Sequence, residues 1–210
     1  YIHCFCTPAG AIGYLLSITT GRRLVIDSYE PHAESMVENG TWLQNGLPFK
    51  ILWWFEKQQS KRAWFCVAAA TGMKDYAANK YGVRLKNFAV KPACVDLEMF
   101  SFNSKARTEI RAKLNWQDKI ICIYSGKLGG IYLDREVFDF FFVANQHWGD
   151  KFRVILLTPH SQEEILQWCT QAGLATDILF CASAPFAEVA NYLSAADFAL
   201  TPVKPVPSKK

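Results

Sequence analysis

From Lys119 onward the hydrophobic positions of the chain alternate between two periods. The run KIICIYS (119–125) is continuous, apolar and β-branched, and LDREVFDFFFVANQHW (133–148) then spaces its apolar residues as a helix does. The pair recurs. FRVILLT (152–158) leads to SQEEILQWCTQAG (161–173), DILFCAS (177–183) leads to FAEVANYLSAA (186–196), and DFALTPV (197–203) stands last as a fourth strand. Near-continuous apolar strands separated by helices predict a parallel sheet covered on both faces, the doubly wound α/β arrangement. Ser161 with Glu164 three residues later marks a capping box at the start of the second helix, and Gly173 marks its end.

The first half follows the same rhythm less cleanly. YIHCFC (1–6), RLVID (23–27), WFCVAA (64–69) and LKNFAVKPA (85–93) read as strands. AIGYLLSITTG, PHAESMVENGTW, FKILWWFEKQQSKRA and TGMKDYAANKYG read as helices between them. The rhythm breaks between residues 94 and 117, where VDLEMFSFNSK is irregular and TEIRAKLN is a short polar helix. The expectation is two Rossmann-like lobes, residues 1–93 and 118–210, each a mainly parallel sheet covered by helices, joined by a linker at 94–117. Tyr1 opens inside a strand pattern, and PVKPVPSKK follows a strand without a closing helix, so both lobes are expected to be incomplete.

Composition narrows the function classes. The 210 residues are 50% hydrophobic, 14% aromatic and 20% charged, enough apolar mass for one large core or two small ones. A net charge of +4 is too small to argue for nucleic acid as a partner. Lys105, Arg107, Arg111, Lys113 and Lys119 cluster, but Glu109 and Asp118 interrupt them, as on a solvated helix face. The seven cysteines are an odd number without a CxxC pair, which fits a reducing, cytoplasmic location. Cys4 and Cys6 share a strand face without further ligands nearby, so no metal is expected. In FKILWWFEKQQSKR, Trp53, Trp54 and Phe55 stand beside Lys50, Lys57, Lys61 and Arg62. That helix fits either a packing helix with an exposed basic end, the reading preferred here, or peripheral contact with an anionic membrane.

The stretch YSGKLGG (124–130) carries the candidate chemistry. A parallel strand ending at Ser125 and followed by Gly126, Gly129 and Gly130 lets backbone N–H groups face an anion at the next helix's N-terminus. Lys127 adds a cation. The spacing is neither GxxxxGK nor GxGxxG, so it is not a Walker A loop or a dinucleotide fingerprint. The turn is either a phosphate site or a plain strand-to-helix corner with a solvated lysine.

Several stretches, in order, resemble family 4 glycosyltransferases of the GT-B architecture. VIDSYEPHAES is similar to the segment where a strand ends in Asp-x-His-Glu. FEKQQSKRAWFCVAAATGMKDYAANKYG resembles the stretch that closes the first lobe, VKPACVDLEMF the crossover, YSGKLGG the Gly-Arg or Gly-Lys donor loop, and YLSAADFALTPV the later Ala-Asp, strand, Pro element. The resemblance implies transfer of a hexose-type sugar from a nucleotide diphosphate sugar to a glycan or lipid-linked acceptor, with retention and without a metal or other cofactor. It implies that Asp27, Tyr29, Glu30 and His32 line a cleft and position sugar hydroxyls, and that Gly126, Lys127, Gly129 and Gly130 hold the diphosphate. It further implies that Ser183 and Ala184 contact the nucleotide.

The chain departs from the pattern in places. Tyr29 stands where the family has histidine, with His32 slightly late, and a tyrosine cannot serve as a neutral-pH base. The family's second donor-loop cation is replaced by Ile131, Tyr132 and Leu133. The family's glutamate pair is expected beyond Lys210, so this chain alone is expected to be inactive. Alternatives are a nucleotide-sugar epimerase of the same architecture and a non-catalytic subunit that keeps the fold. The sequence leaves the oligomeric state open.

Overall fold

The computed structural model describes residues 1–205; the last five residues of the expected second lobe lie outside the described residues. The chain forms two compact units, Tyr1–Cys94 and Val95–Pro205 among the described residues.

The first unit carries strands β1 (Ile2–Phe5), β2 (Leu24–Asp27), β3 (Ala63–Ala68) and β4 (Phe88–Val90), all parallel and in that spatial order. Its helices are α1 (Thr7–Thr20), α2 (His32–Glu38), α3 (Leu47–Arg62) and α4 (Gly72–Tyr76), the last continuing as a π-helical turn over Ala77–Tyr81. Small residues Thr7, Gly10, Gly13 and Ser17 form the buried face of α1. They let it lie close: a Cβ at Gly10 would collide with Gln59, and one at Gly13 with the Cys4 sulfur. The basic-aromatic helix α3 turns a polar face inward, burying Glu56, Gln59 and Ser60, and leaves Ile51 and Trp54 half exposed.

Glu56 organises that unit. Its side chain is wholly buried, Oε1 accepts the Ala33 N–H at 2.8 Å, and Oε2 accepts the Tyr81 hydroxyl at 2.8 Å. It thereby caps α2, whose flanking Pro31 offers no side-chain cap. Burial pushes the Glu56 carboxyl up to about 7, against the opposing hydrogen bonds from Ala33 and Tyr81.

The second unit carries α5 (Ser104–Leu114), then β5 (Ile120–Ser125), α6 (Arg135–Trp148), β6 (Phe152–Leu157), α7 (Gln162–Ala172), β7 (Leu179–Ala182), α8 (Phe186–Ala195) and β8 (Phe198–Ala199). The strands are parallel in the order β7-β6-β5-β8. One apolar layer joins Phe138, Phe141, Phe152, Ile165 and Cys169; the other joins Trp116, Ile121, Ile155 and Ala195. Both faces of the sheet are covered, which is why its strands are apolar throughout. The chain leaves β5 for β6 on one side and returns to β8 on the other, so the sheet's topological switch point lies at β5.

From Val95 the stretch expected as a linker is part of this second unit. The reason is electrostatic. Arg107 and Arg111 of α5 grip Asp197 at 2.6 Å each, Arg111 also donates to the Ala195 carbonyl at 2.9 Å, and the Ile121 N–H donates to Asp197 at 2.8 Å. The two arginines are therefore not a solvated face: Arg111 is only 7% exposed. Burial works against ionisation of Asp197, but the bonds from Arg107, Ile121 and Arg111 outweigh it and hold the carboxyl below its usual range.

Two outcomes follow from these clusters. Asp197→Ala leaves the Arg111 guanidinium buried without its carboxylate and should cost ~3 kcal/mol in urea unfolding. For Glu56, folding penalises the charged form, so between the ordinary value of 4.5 and about 7 the folded state keeps a proton that the unfolded state has lost. Its contribution to stability is complete below that window and falls by up to ~1.4 kcal/mol per pH unit as pH rises through it. Glu56→Gln should remove that slope relative to the wild type in unfolding curves taken from pH 4 to pH 8.

Candidate functional site

The glycine turn begins where the β5–β6 ladder ends. Gly126, at φ 149°, donates its N–H to the Leu157 carbonyl at 2.9 Å. That amide closes the ladder and is not free for an anion, contrary to the expectation for this glycine. The Tyr124 hydroxyl donates to the Lys127 carbonyl at 2.8 Å, and the Leu128 side chain enters the core. Gly129 and Gly130 have left-handed backbones, φ 82° and 66°, which cost glycine nothing. Among the described residues, the amides of Lys127, Gly129 and Gly130 donate to no group of the chain, and the Lys127 ammonium has no ion-pair partner. Among the described residues, these three amides and the ammonium are the donors that the turn leaves available.

Helix α6 starts at Arg135, two residues past the expected Leu133. Ile131–Asp134 intervene, held by the Leu133 N–H on the Pro202 carbonyl at 2.7 Å and the Lys204 N–H on the Ile131 carbonyl at 2.9 Å. Asp134 caps the helix by accepting from the Arg135 N–H at 2.7 Å. The amides of the turn are therefore separated from the helix terminus by Ile131–Asp134.

The loop after β6 supplies a group that the sequence analysis did not single out. The Leu128 N–H donates to His160 Nε2 at 3.1 Å, and His160 Nδ1 faces Glu164 Oε2 at 3.3 Å. Glu164 also accepts the Ser161 N–H at 3.0 Å, and that bond, with help from His160, keeps its carboxyl below the usual range. The same loop opens onto a pocket of about 590 Å³ lined by Thr158, His160, Ile165, Phe180 and Ser183. Ser183 is at its wall. Ala184 instead packs against the apolar layer of Ile155 and Ala195 and contributes no polar contact. A histidine directly after the Thr-Pro that ends an apolar strand was the available signal for His160.

The other expected residues lie in the first unit. Asp27 ends β2, and its Oδ2 meets the Lys91 ammonium at 2.7 Å and His3 Nε2 at 3.7 Å. The Lys91 hydrogen bond, more than burial opposes it, keeps the Asp27 carboxyl below its usual range. Ser28 follows with φ 55°, a left-handed conformation costing a non-glycine residue ~1 kcal/mol. Glu30 and His32 pair at 3.1 Å, both partly exposed. Tyr29 departs from expectation. It is 1% exposed, and its hydroxyl bonds Ser60 at 2.6 Å, so it is a core residue, not a donor to sugar hydroxyls. The left-handed Ser28 turns the chain, so that Tyr29 enters the core and Glu30 and His32 stay out. Lys91, just past the end of β4, is the cation that joins Asp27 and was missed. Among the described residues no three His, Cys, Asp or Glu side chains gather as a metal site would need.

No protein-family model matches the chain, and no curated protein matches it. Solved structures do match. HepE of Anabaena, solved with UDP, superposes at a TM-score of 0.71 with 15% identity, over 95% of this chain and 52% of its own. Sucrose-phosphate synthase of Thermosynechococcus elongatus gives 0.65 with 16% identity, over 94% of this chain and 49% of its own. WaaG, a glycosyltransferase involved in lipopolysaccharide biosynthesis, gives 0.62 with 13% identity, over 91% of this chain and 56% of its own. The fold is that of GT-B glycosyltransferases. This chain spans about half the length of these structures.

Tyr29→Phe should lower stability by ~1 kcal/mol, the worth of one buried hydrogen bond, as paired urea unfolding of the variant and the wild type would read.

Proposed function

We propose that this chain is part of a retaining, family 4-like glycosyltransferase that moves a hexose from a nucleotide diphosphate sugar to a glycan or lipid-linked acceptor. The observation that carries the reading is the β5 turn: three amides and a lysine, unpaired among the described residues, at the switch point of a doubly wound sheet. The fold is shared with HepE, which was solved with UDP and with UDP-glucose, and this supports uridine diphosphate as the carrier.

In transfer, the glycosidic C–O bond breaks and its electron pair leaves with the diphosphate. Lys127 and the amides of Lys127, Gly129 and Gly130 stabilise that developing charge. The acceptor hydroxyl bonds to the anomeric carbon and gives its proton to the departing phosphate oxygen, so no strong protein base is required. That economy suits a chain whose Tyr29 is unavailable. Ser183 and the pocket beside it take the nucleoside. Asp27, Glu30 and His32 hold sugar or acceptor hydroxyls through carboxylate and imidazole hydrogen bonds.

The linker 94–117 would carry the chain between the two lobes, with α5 docked on the donor side. Seven free thiols support a reducing, cytoplasmic setting and a role in glycan biosynthesis. Half-exposed Ile51 and Trp54 beside Lys50 on α3 support peripheral contact with a membrane carrying a lipid-linked acceptor. No described helix is long and apolar enough to cross a membrane. A putative UDP-N-acetylglucosamine 2-epimerase of Listeria monocytogenes shares the fold at a TM-score of 0.56. Turnover of the nucleotide sugar without any acceptor would mark that activity instead.

Lys127→Ala removes one charge-assisted contact and should weaken UDP-glucose binding ~10-fold or more, by ~1.5–3 kcal/mol. Unchanged affinity in a calorimetric titration would remove the diphosphate from this loop.

A further inference from the structure

The glycine loop holds three glycines in five residues, from Gly126 to Gly130, a composition that by itself leaves a backbone mobile. Ordering each such residue costs ~1–2 kcal/mol, and a ligand that had to order the loop would lose that much affinity. The loop is nonetheless tied at its centre. The tie is His160, whose Nε2 accepts the Leu128 N–H at 3.1 Å across 32 positions of sequence.

The imidazole is itself held from three directions. Its side chain is 12% exposed. Nδ1 faces Glu164 Oε2 at 3.3 Å, and a proton on Nδ1 leaves Nε2 to accept from the Leu128 N–H; Nε2 also lies 3.2 Å from the Leu128 carbonyl oxygen, so both backbone groups of Leu128 meet the ring. The ring stands edge-on to Trp168, centroids 5.0 Å apart, and Trp168 rests on Phe138 of the core. Glu164 is in turn locked by the Ser161 capping box at the start of α7. A chain of contacts thus runs from a rigid helix start to the backbone of the turn. No other described group bonds the Leu128 amide.

We propose that His160 is a positioning residue for the donor diphosphate. By taking the Leu128 N–H it holds the loop in the one conformation that leaves the neighbouring amides of Lys127, Gly129 and Gly130 together and unpaired. The inference rests on the donor reading of this loop and adds the residue that prepares it. Glu164 acts one step further back, by setting the tautomer.

The test compares the wild type, His160→Ala and His160→Gln in the intact protein, with UDP and uridine as probes. Glutamine places an amide oxygen near the position of Nε2 and can accept from Leu128. Hydrogen exchange of the Leu128 amide, followed without ligand, reads the tie itself. The expected result is faster Leu128 exchange and ~10-fold weaker UDP binding in His160→Ala, a clearly smaller loss for uridine, whose pocket His160 also lines, and recovery of most of the UDP loss in His160→Gln.

Unchanged Leu128 exchange in His160→Ala would overturn the tie. Faster exchange with undiminished UDP affinity would overturn its role in positioning. Equal weakening of uridine and UDP would overturn it as well, making His160 only a wall of the adjacent pocket. If the wild type binds no UDP, the donor reading of the loop fails and the positioning role fails with it, while Leu128 exchange still reports the contact. If the alanine variant unfolds, His160→Leu, which nearly keeps the volume and removes the acceptor, takes its place against His160→Gln, with the same results expected and the same results overturning the role.

Discussion

A parallel ladder that stops inside a protein leaves backbone donors and acceptors to be paired by something else, and the corner after β5 is built around that demand. The Gly126 amide is paired by Leu157, the Lys127 carbonyl by Tyr124, and the Leu128 amide by His160. Among the described residues, what remains unpaired are the amides of Lys127, Gly129 and Gly130, beside a lysine without a carboxylate partner. The proposed chemistry depends on this residue of an otherwise completed hydrogen-bond pattern. A longer glycine run would offer more amides but no fixed direction for them.

The two units solve the same packing problem with different materials. The second relies on apolar layers on both sheet faces and confines its buried charge to the clamp of Arg107 and Arg111 on Asp197. That clamp also reaches the Ile121 amide at the start of β5, and so connects the docking of α5 to the register of the sheet that ends in the glycine turn. The first unit instead buries polar side chains of α3 against small residues of α1. The wholly buried Glu56 takes over a capping task that the sequence around α2 leaves undone. A buried carboxyl is costly unless its oxygens are hydrogen-bonded. Glu56 has it, through Ala33 and Tyr81, and by capping α2 it also fixes the helix on which His32 stands.

The expected elements and their order were legible in the chain because continuous apolar runs and helical spacing are local signals. KIICIYS, FRVILLT and the Ser161 capping box became β5, β6 and the start of α7 at nearly the expected residues. The glycine turn was legible too, since glycines between a strand and a helix report on backbone conformation at that spot. One expectation about the helices failed: Arg107 and Arg111 read as solvated because their partner Asp197 is far off in sequence. Helix α3 is a packing helix with an exposed basic end, as expected, but its buried face is polar, and its partners Tyr81 and Ala33 are just as distant in sequence.

The sequence by itself determined the alternating βα order, the glycine corner and its single lysine, since each depends on the conformational preferences of neighbouring residues. The tertiary structure alone decided which groups at that corner are free, that Tyr29 turns inward to Ser60, and that His160 and Lys91 join the two candidate clusters. Hydrogen bonds across tens of residues make those choices. A side chain is spent or available according to what the fold brings within about 3 Å of it, and no local pattern records that distance.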